Sequence, residues 1–186
     1  VELISVPYSR VRTVLVDAQP TNRNRRALLK LRVRVDNPSK KPFYVQATIT
    51  DPKERSRVAS LRASPTRFET KGEVLLETEV DTPKLWWPRG YGEPSLYQAA
   101  VTLVDPQTGR TVDRFTTDFG IRSVKMLPNP GNGQKKEDWV LTVNGRRVFI
   151  KGMNWLPAEQ FFGRLKDETY QNLIKRAADM DCNMFR

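Results

Sequence analysis

The stretch Val148–Pro157, "VFIKGMNWLP", decides how the chain divides, because the sequence before it alternates like a β-sandwich and this segment does not. On its N-terminal side "WVLTVNGRRVFIKG" reads as a hairpin that turns at Asn144-Gly145, a pair able to adopt positive φ at low cost. On its C-terminal side Asp167 is the expected N-cap of a helix. Tyr170, Leu173, Ile174, Ala177 and Met180 then fall on one apolar helical stripe. "NMFR" begins a further apolar run, and the sequence stops at Arg186. A strand, a helix and a new strand make the βαβ unit of a parallel sheet, and such a sheet needs more strands than these.

Composition removes whole reaction classes. The chain has 186 residues, a single cysteine (Cys182) and no histidine. There is thus no internal disulfide framework, no Cys/His zinc cluster and no Ser-His or Cys-His nucleophile pair; neither a metal nor another cofactor is expected. No run approaches the ~20 apolar residues of a membrane helix, so no membrane partner is expected. The first residue is Val1 rather than Met, which reads as a piece of a longer chain and leaves localisation unread.

The net charge of +11 raises the question of a polyanion partner. Lys30, Arg32 and Arg34 alternate with Leu29, Leu31, Val33 and Val35, as on the solvated face of a half-buried strand. Only "RNRR", Arg23–Arg26, clusters the charge, in an expected turn, and no stacking aromatics are interleaved with it. No nucleic-acid partner is expected. A polyanion-binding domain would instead show salt-sensitive retention on heparin or DNA resin.

Upstream, seven alternating runs (11–17, 27–36, 43–50, 57–61, 74–80, 96–104 and 111–121) are separated by stretches rich in Asp, Asn, Pro and Gly. This predicts a mainly β chain with an immunoglobulin-like antiparallel sandwich over 11–124. The Pro/Gly/charged stretch "LPNPGNGQKKED" marks a linker, set at 125–138.

"VNGRRVFIKGMNWLPAEQF", a helix and then "CNMFR" resemble the start of the catalytic barrel of glycoside hydrolase family 2, closest to its β-mannosidase-like members. "LWWPRGYGEPSLYQAAVTLVD" and "FGIRSVK" resemble that family's sandwich domain, and "VELISV" the last strand of its preceding jelly-roll domain. The resemblance implies that 1–10 end the jelly roll or link to it, and that 139–186 are the first strand, helix and second-strand start of a (β/α)₈ barrel. It implies a retaining β-glycosidase acting on terminal β-linked sugars of glycans. Retention needs two carboxyls about 5–5.5 Å apart. The family's catalytic glutamates would lie beyond residue 186, so no catalytic residue is expected in this span and the 186 residues alone are expected to be inactive. A secreted or periplasmic enzyme would fit the resemblance.

In such a barrel the chemistry sits at the C-terminal ends of the strands. By resemblance Asn154, Trp155 and Arg186 belong to the wall of the sugar subsite. Trp155 offers an apolar face to a sugar ring and Arg186 a forked donor to hydroxyls or a carboxylate. Glu159 stands where related sequences often carry aspartate and is a further candidate for substrate hydroxyls. Against these stand packing readings: Trp155 on the barrel rim, Asn154 capping a turn, Arg186 in a structural ion pair, Glu159 exposed on a loop. The Trp86-Trp87 pair is read as packing at the sandwich edge or against a neighbouring domain, Tyr91 and Tyr97 as corner and core aromatics, and Cys182 as a small apolar residue. The expected partners are a glycan substrate through the full-length enzyme, and either the rest of the parent chain or a second copy covering 139–186. A different class remains open, a non-catalytic immunoglobulin-like interaction module.

Overall fold

The computed structural model describes residues 8–51, 53–54, 56–63, 70–129, 139–159 and 162–186. The rest of the expected linker and most of the expected jelly-roll end lie outside them. The chain is mainly β, its sheets almost entirely antiparallel, and one α-helix occurs among the described residues. It divides into two compact units: residues 1–85 with 95–122, and residues 86–94 with 123–186.

Among its described residues the first unit holds seven strands. β1 (Arg10–Thr21), β2 (Arg26–Asp36) and β5 (Lys71–Asp81) form one sheet in the order β1-β2-β5. β3 (Tyr44–Thr50), β4 (Arg57–Arg62), β6 (Tyr97–Val104) and β7 (Thr111–Phe119) form the other, in the order β4-β3-β6-β7. Alternation buries every second residue: Ala27, Leu29, Leu31, Val33 and Val35 from β2 meet Val45, Ala47, Ile49, Ala99, Val101 and Leu103 in one core shared by both sheets. Burial of each larger aliphatic side chain stabilises this unit by about 1.5–3 kcal/mol before entropy is counted. The residues between them on β2 face outward into cross-strand ion pairs, Lys30 with Glu77 at 3.0 Å and Arg34 with Glu73 at 2.9 Å. Part of the basic excess is therefore matched across the sheet, where each exposed pair contributes at most about 1 kcal/mol.

Three boundaries differ from the sequence reading. Tyr8, Ser9 and Arg10, expected in a preceding domain or linker, belong to the sandwich unit. Ser9 is fully buried on Asn37, Tyr8 packs on the core and donates to Asp105 Oδ2 at 3.1 Å, and Arg10 opens β1. β1 runs on through Pro20, because it is an edge strand that needs no donor on its open side. The expected linker begins with a strand, β8 (Val124–Pro128), which pairs along its length with β9 (Trp139–Val143).

The second unit starts from that pair. β9 turns at Asn144-Gly145, with φ of 53° and 82°, into β10 (Arg146–Arg147). The expected hairpin is therefore present, and its second arm is short. β11 (Gly152–Met153) pairs in parallel with β12 (Met184–Phe185), and α1 (Asp167–Asp179) connects them. Asp167 is the first helical residue rather than the cap. Lys166 occupies the N-cap without a side-chain bond, and Asp167 and Glu168 place their charge in the first turn. At the other end Asp181 adopts φ 62°, its N–H donates to Ala178 O, and the Cys182 N–H donates to Ala177 O, the closing pattern of a Schellman motif.

Candidate functional site

The candidate residues sit where the two parallel strands end. Asn183 N–H donates to Lys151 O at 2.9 Å, Arg186 N–H to Met153 O at 3.0 Å, and Trp155 N–H to Arg186 O at 2.7 Å. These bonds bring Trp155 and Arg186, thirty-one positions apart in sequence, side by side. The parallel register pairs Gly152 with Met184 and Met153 with Phe185. A Cβ built on Gly152 would lie 3.4 Å from Met184 Cβ and 3.3 Å from Met184 O, so this face of the pair leaves little room for a side chain. Two-residue alternation continues the Gly152–Met184 face toward Asn154 and Arg186, and the Met153–Phe185 face toward Trp155.

The aromatic contacts agree with that division. Trp155 meets the ring of Phe185 edge-on, with centroids 5.2 Å apart and planes at 76°. Trp155 is half-buried, whereas Asn154 and Arg186 are exposed. Glu159 is half-buried in the following loop, and no described hydrogen bond joins it to the other three. The structure therefore brings Asn154, Trp155 and Arg186 to one strand end, and Glu159 follows in the loop after it. Phe185 and Asn183 were not singled out from the sequence. Both lie in the quoted "NMFR" run, where alternation from Arg186 places them on the opposite face.

Charge around the strands is paired. Lys151 holds the Asp181 carboxylate, and that contact keeps the Asp181 carboxyl below the usual carboxylate range and the Lys151 ammonium above its ordinary value. The left-handed turn at Asp181 is what aims this side chain back toward the strand.

The Trp-Trp-Pro corner belongs to this unit too. Trp86 bridges to Pro94, and Trp86 O accepts a hydrogen bond from Asn144 Nδ2 at 3.0 Å. Tyr91 Oη accepts the Phe149 N–H at 2.7 Å, and the Arg146 guanidinium lies 5.1 Å from the Tyr91 ring centre. A groove of about 580 Å³ opens beside this corner, lined by Tyr91, Asn129, Trp139, Arg147, Phe149 and Ile150 among others. It includes none of Asn154, Trp155, Glu159 and Arg186.

The chain is similar to proteins of known family. The family described as glycosyl hydrolases family 2 matches residues 9–122. The chain belongs to that family. Among its relatives, a β-mannosidase B of Aspergillus terreus is 34% identical over 97 residues, 52% of this chain and 11% of the relative. A mannosylglycoprotein endo-β-mannosidase of Lilium longiflorum is 36% identical over 104 residues, covering 56% of this chain and 10% of that protein. The crystal structure of a β-D-mannosidase from Dictyoglomus thermophilum superimposes with a TM-score of 0.85 at 29% identity, over 98% of this chain and 22% of that one. An exo-chitosanase of Amycolatopsis orientalis shares the fold at a TM-score of 0.77 and 20% identity, over 97% of this chain and 20% of that one. The chain thus spans only about a tenth to a fifth of the length of these relatives.

Proposed function

We propose that these residues are part of a retaining, β-mannosidase-like family 2 glycosidase that hydrolyses terminal β-linked sugars of glycans. The observation that carries this is the likeness to the Dictyoglomus thermophilum β-D-mannosidase, which extends through both units rather than the sandwich alone. In this reading the first unit is an immunoglobulin-like scaffold. β11, α1 and β12 are the first strand, first helix and second strand of a (β/α)₈ barrel, and residues 139–186 are covered by the rest of the parent chain.

The 186 residues then supply scaffold and part of a sugar subsite, and the two catalytic carboxylates come from later barrel strands. Asn154 and Arg186 offer an amide and a fork of N–H donors from one strand face, suited to sugar hydroxyls or to a carboxylate beside them. Trp155, braced by Phe185, offers ring surface at the rim of that group, and Glu159 a carboxylate from the loop that follows.

The test uses the full-length enzyme with aryl β-mannoside, β-glucosaminide and β-galactoside, and proton NMR of the first sugar released. Preferred hydrolysis of the β-mannoside with release of β-mannose is expected, and the 186-residue chain alone should not exceed blank with any of them. Preference for another sugar, or release of the α-anomer, overturns the proposal, as does turnover that stays with the repurified 186-residue chain.

A further inference from the structure

β11 and β12 pair over only two residues each, yet they set the position of Trp155 and Arg186. Two such short strands hold a register weakly by themselves. Asn183, one residue before β12, supplies the missing length. Its N–H donates to Lys151 O, its Oδ1 accepts the Lys151 N–H at 2.9 Å, and its Nδ2 donates to Phe149 O at 2.9 Å. The side chain thus satisfies a backbone donor and a backbone acceptor on the neighbouring segment, as a further strand residue would.

That task needs one acceptor and one donor on a short arm. Aspartate keeps the acceptor but sets a carboxylate against the Phe149 carbonyl, and alanine loses both bonds. A slip of one residue in a strand moves every side chain to the other face. The register held at Asn183 therefore decides whether Arg186 shares a face with Asn154.

We propose that Asn183 is the positioning residue of the sugar subsite: its side chain locks β12 to the Phe149–Lys151 segment, so that Arg186 and Asn154 are presented together. The subsite role rests on the function proposed above; the clamp itself does not.

The experiment compares wild type, Asn183→Ala and Asn183→Asp in the full-length enzyme, with Asp181→Asn as a control that removes the charge of the Lys151 pair and keeps a residue type that tolerates the φ of 62° there. Two readouts are taken at a temperature where all four are folded: aryl β-mannoside kinetics, and amide exchange of peptides covering 151–156 and 184–186. Asn183→Ala should exchange at least ~10-fold faster in both peptides, with sandwich peptides unchanged. Its kcat/KM should fall at least ~10-fold. Asn183→Asp, retaining only the Lys151 bond, should fall between, and Asp181→Asn should stay within ~2-fold of wild type, as expected for an exposed pair. Unchanged exchange in Asn183→Ala overturns the clamp whatever the activity. Faster exchange with unchanged kinetics overturns the positioning role. A wild-type enzyme inert toward β-mannosides, with the exchange change intact, sinks the functional reading while the clamp stands.

Discussion

At Asn144 three constraints meet in one side chain. Its φ of 53° favours Asn over residues with bulkier Cβ substituents, its Oδ1 accepts the Ser123 N–H at 2.9 Å, and its Nδ2 donates to Trp86 O at 3.0 Å. It is buried, so alanine would leave both backbone partners short of a bond. Asn144→Ala should cost about 2–3 kcal/mol, read as a lower urea midpoint at unchanged slope. Arg186→Ala belongs to the same scale and has the opposite signature. The side chain is exposed in the 186 residues, so their melting should not move, while kcat/KM of the full-length enzyme should drop at least ~10-fold, about 1.4 kcal/mol of transition-state stabilisation. Wild-type kinetics would return Arg186 to a surface role. The sequence showed Asn144 as a turn former because that signal is local. It did not show the bonds to Ser123 and Trp86, whose spacing follows from tertiary structure. For the same reason "GMNW" and "NMFR" could be marked as strand ends, whereas the Phe185 ring against Trp155 could not.

Among the elements, the loop 86–94 is the most demanding. A Cβ on Gly92 would lie 2.8 Å from Trp87 Cδ1 and Cγ, so the indole would have to shift. Gly92→Ala should cost about 1–3 kcal/mol and shift tryptophan emission, and thermal melts followed by fluorescence check both. The seven sandwich strands were legible from alternation, sharpest in β2, β3 and β6, where every second residue is buried. β8 was not, because all five of its residues are exposed and it carries no alternation, so a Pro/Gly-rich neighbourhood outweighed it. α1 was legible from its stripe, although only Ala177 of that stripe is buried while Tyr170, Ile174 and Met180 are exposed. Its start was misread by one residue because Asp serves equally well at an N-cap or in a first turn.

For the whole molecule, pH dependence follows from how the charges are held. Asp51 is kept below the usual carboxylate range first by the Lys84 ammonium, and Asp105 first by the N–H groups of Gln107 and Thr108. A lowered folded pKa gives stability that is present above the unfolded value of ~3.9 and lost as pH falls through the folded one. Lys84 is raised by Asp51, so its share is present below ~10.4 and lost only as pH rises through the folded value. With no histidine in the chain, the melting temperature should be nearly flat from pH 5 to about 8 and fall below pH ~4. A midpoint that moves strongly between pH 5 and 7 would contradict this.

The central claim is that the sandwich closes its own core while α1 and the short parallel pair belong to a domain whose core lies elsewhere. Hydrogen exchange on the isolated 186-residue chain in dilute solution tests it most directly. β2 and β6 are buried on one face and paired on both edges, whereas α1 leaves most of its apolar stripe exposed and β11 and β12 share two residue pairs. Amides of 27–36 and 97–104 should therefore be protected at least ~10-fold beyond those of 167–179. Equal protection of the helix would mean that it has found a complete core within these residues, and would contradict the account.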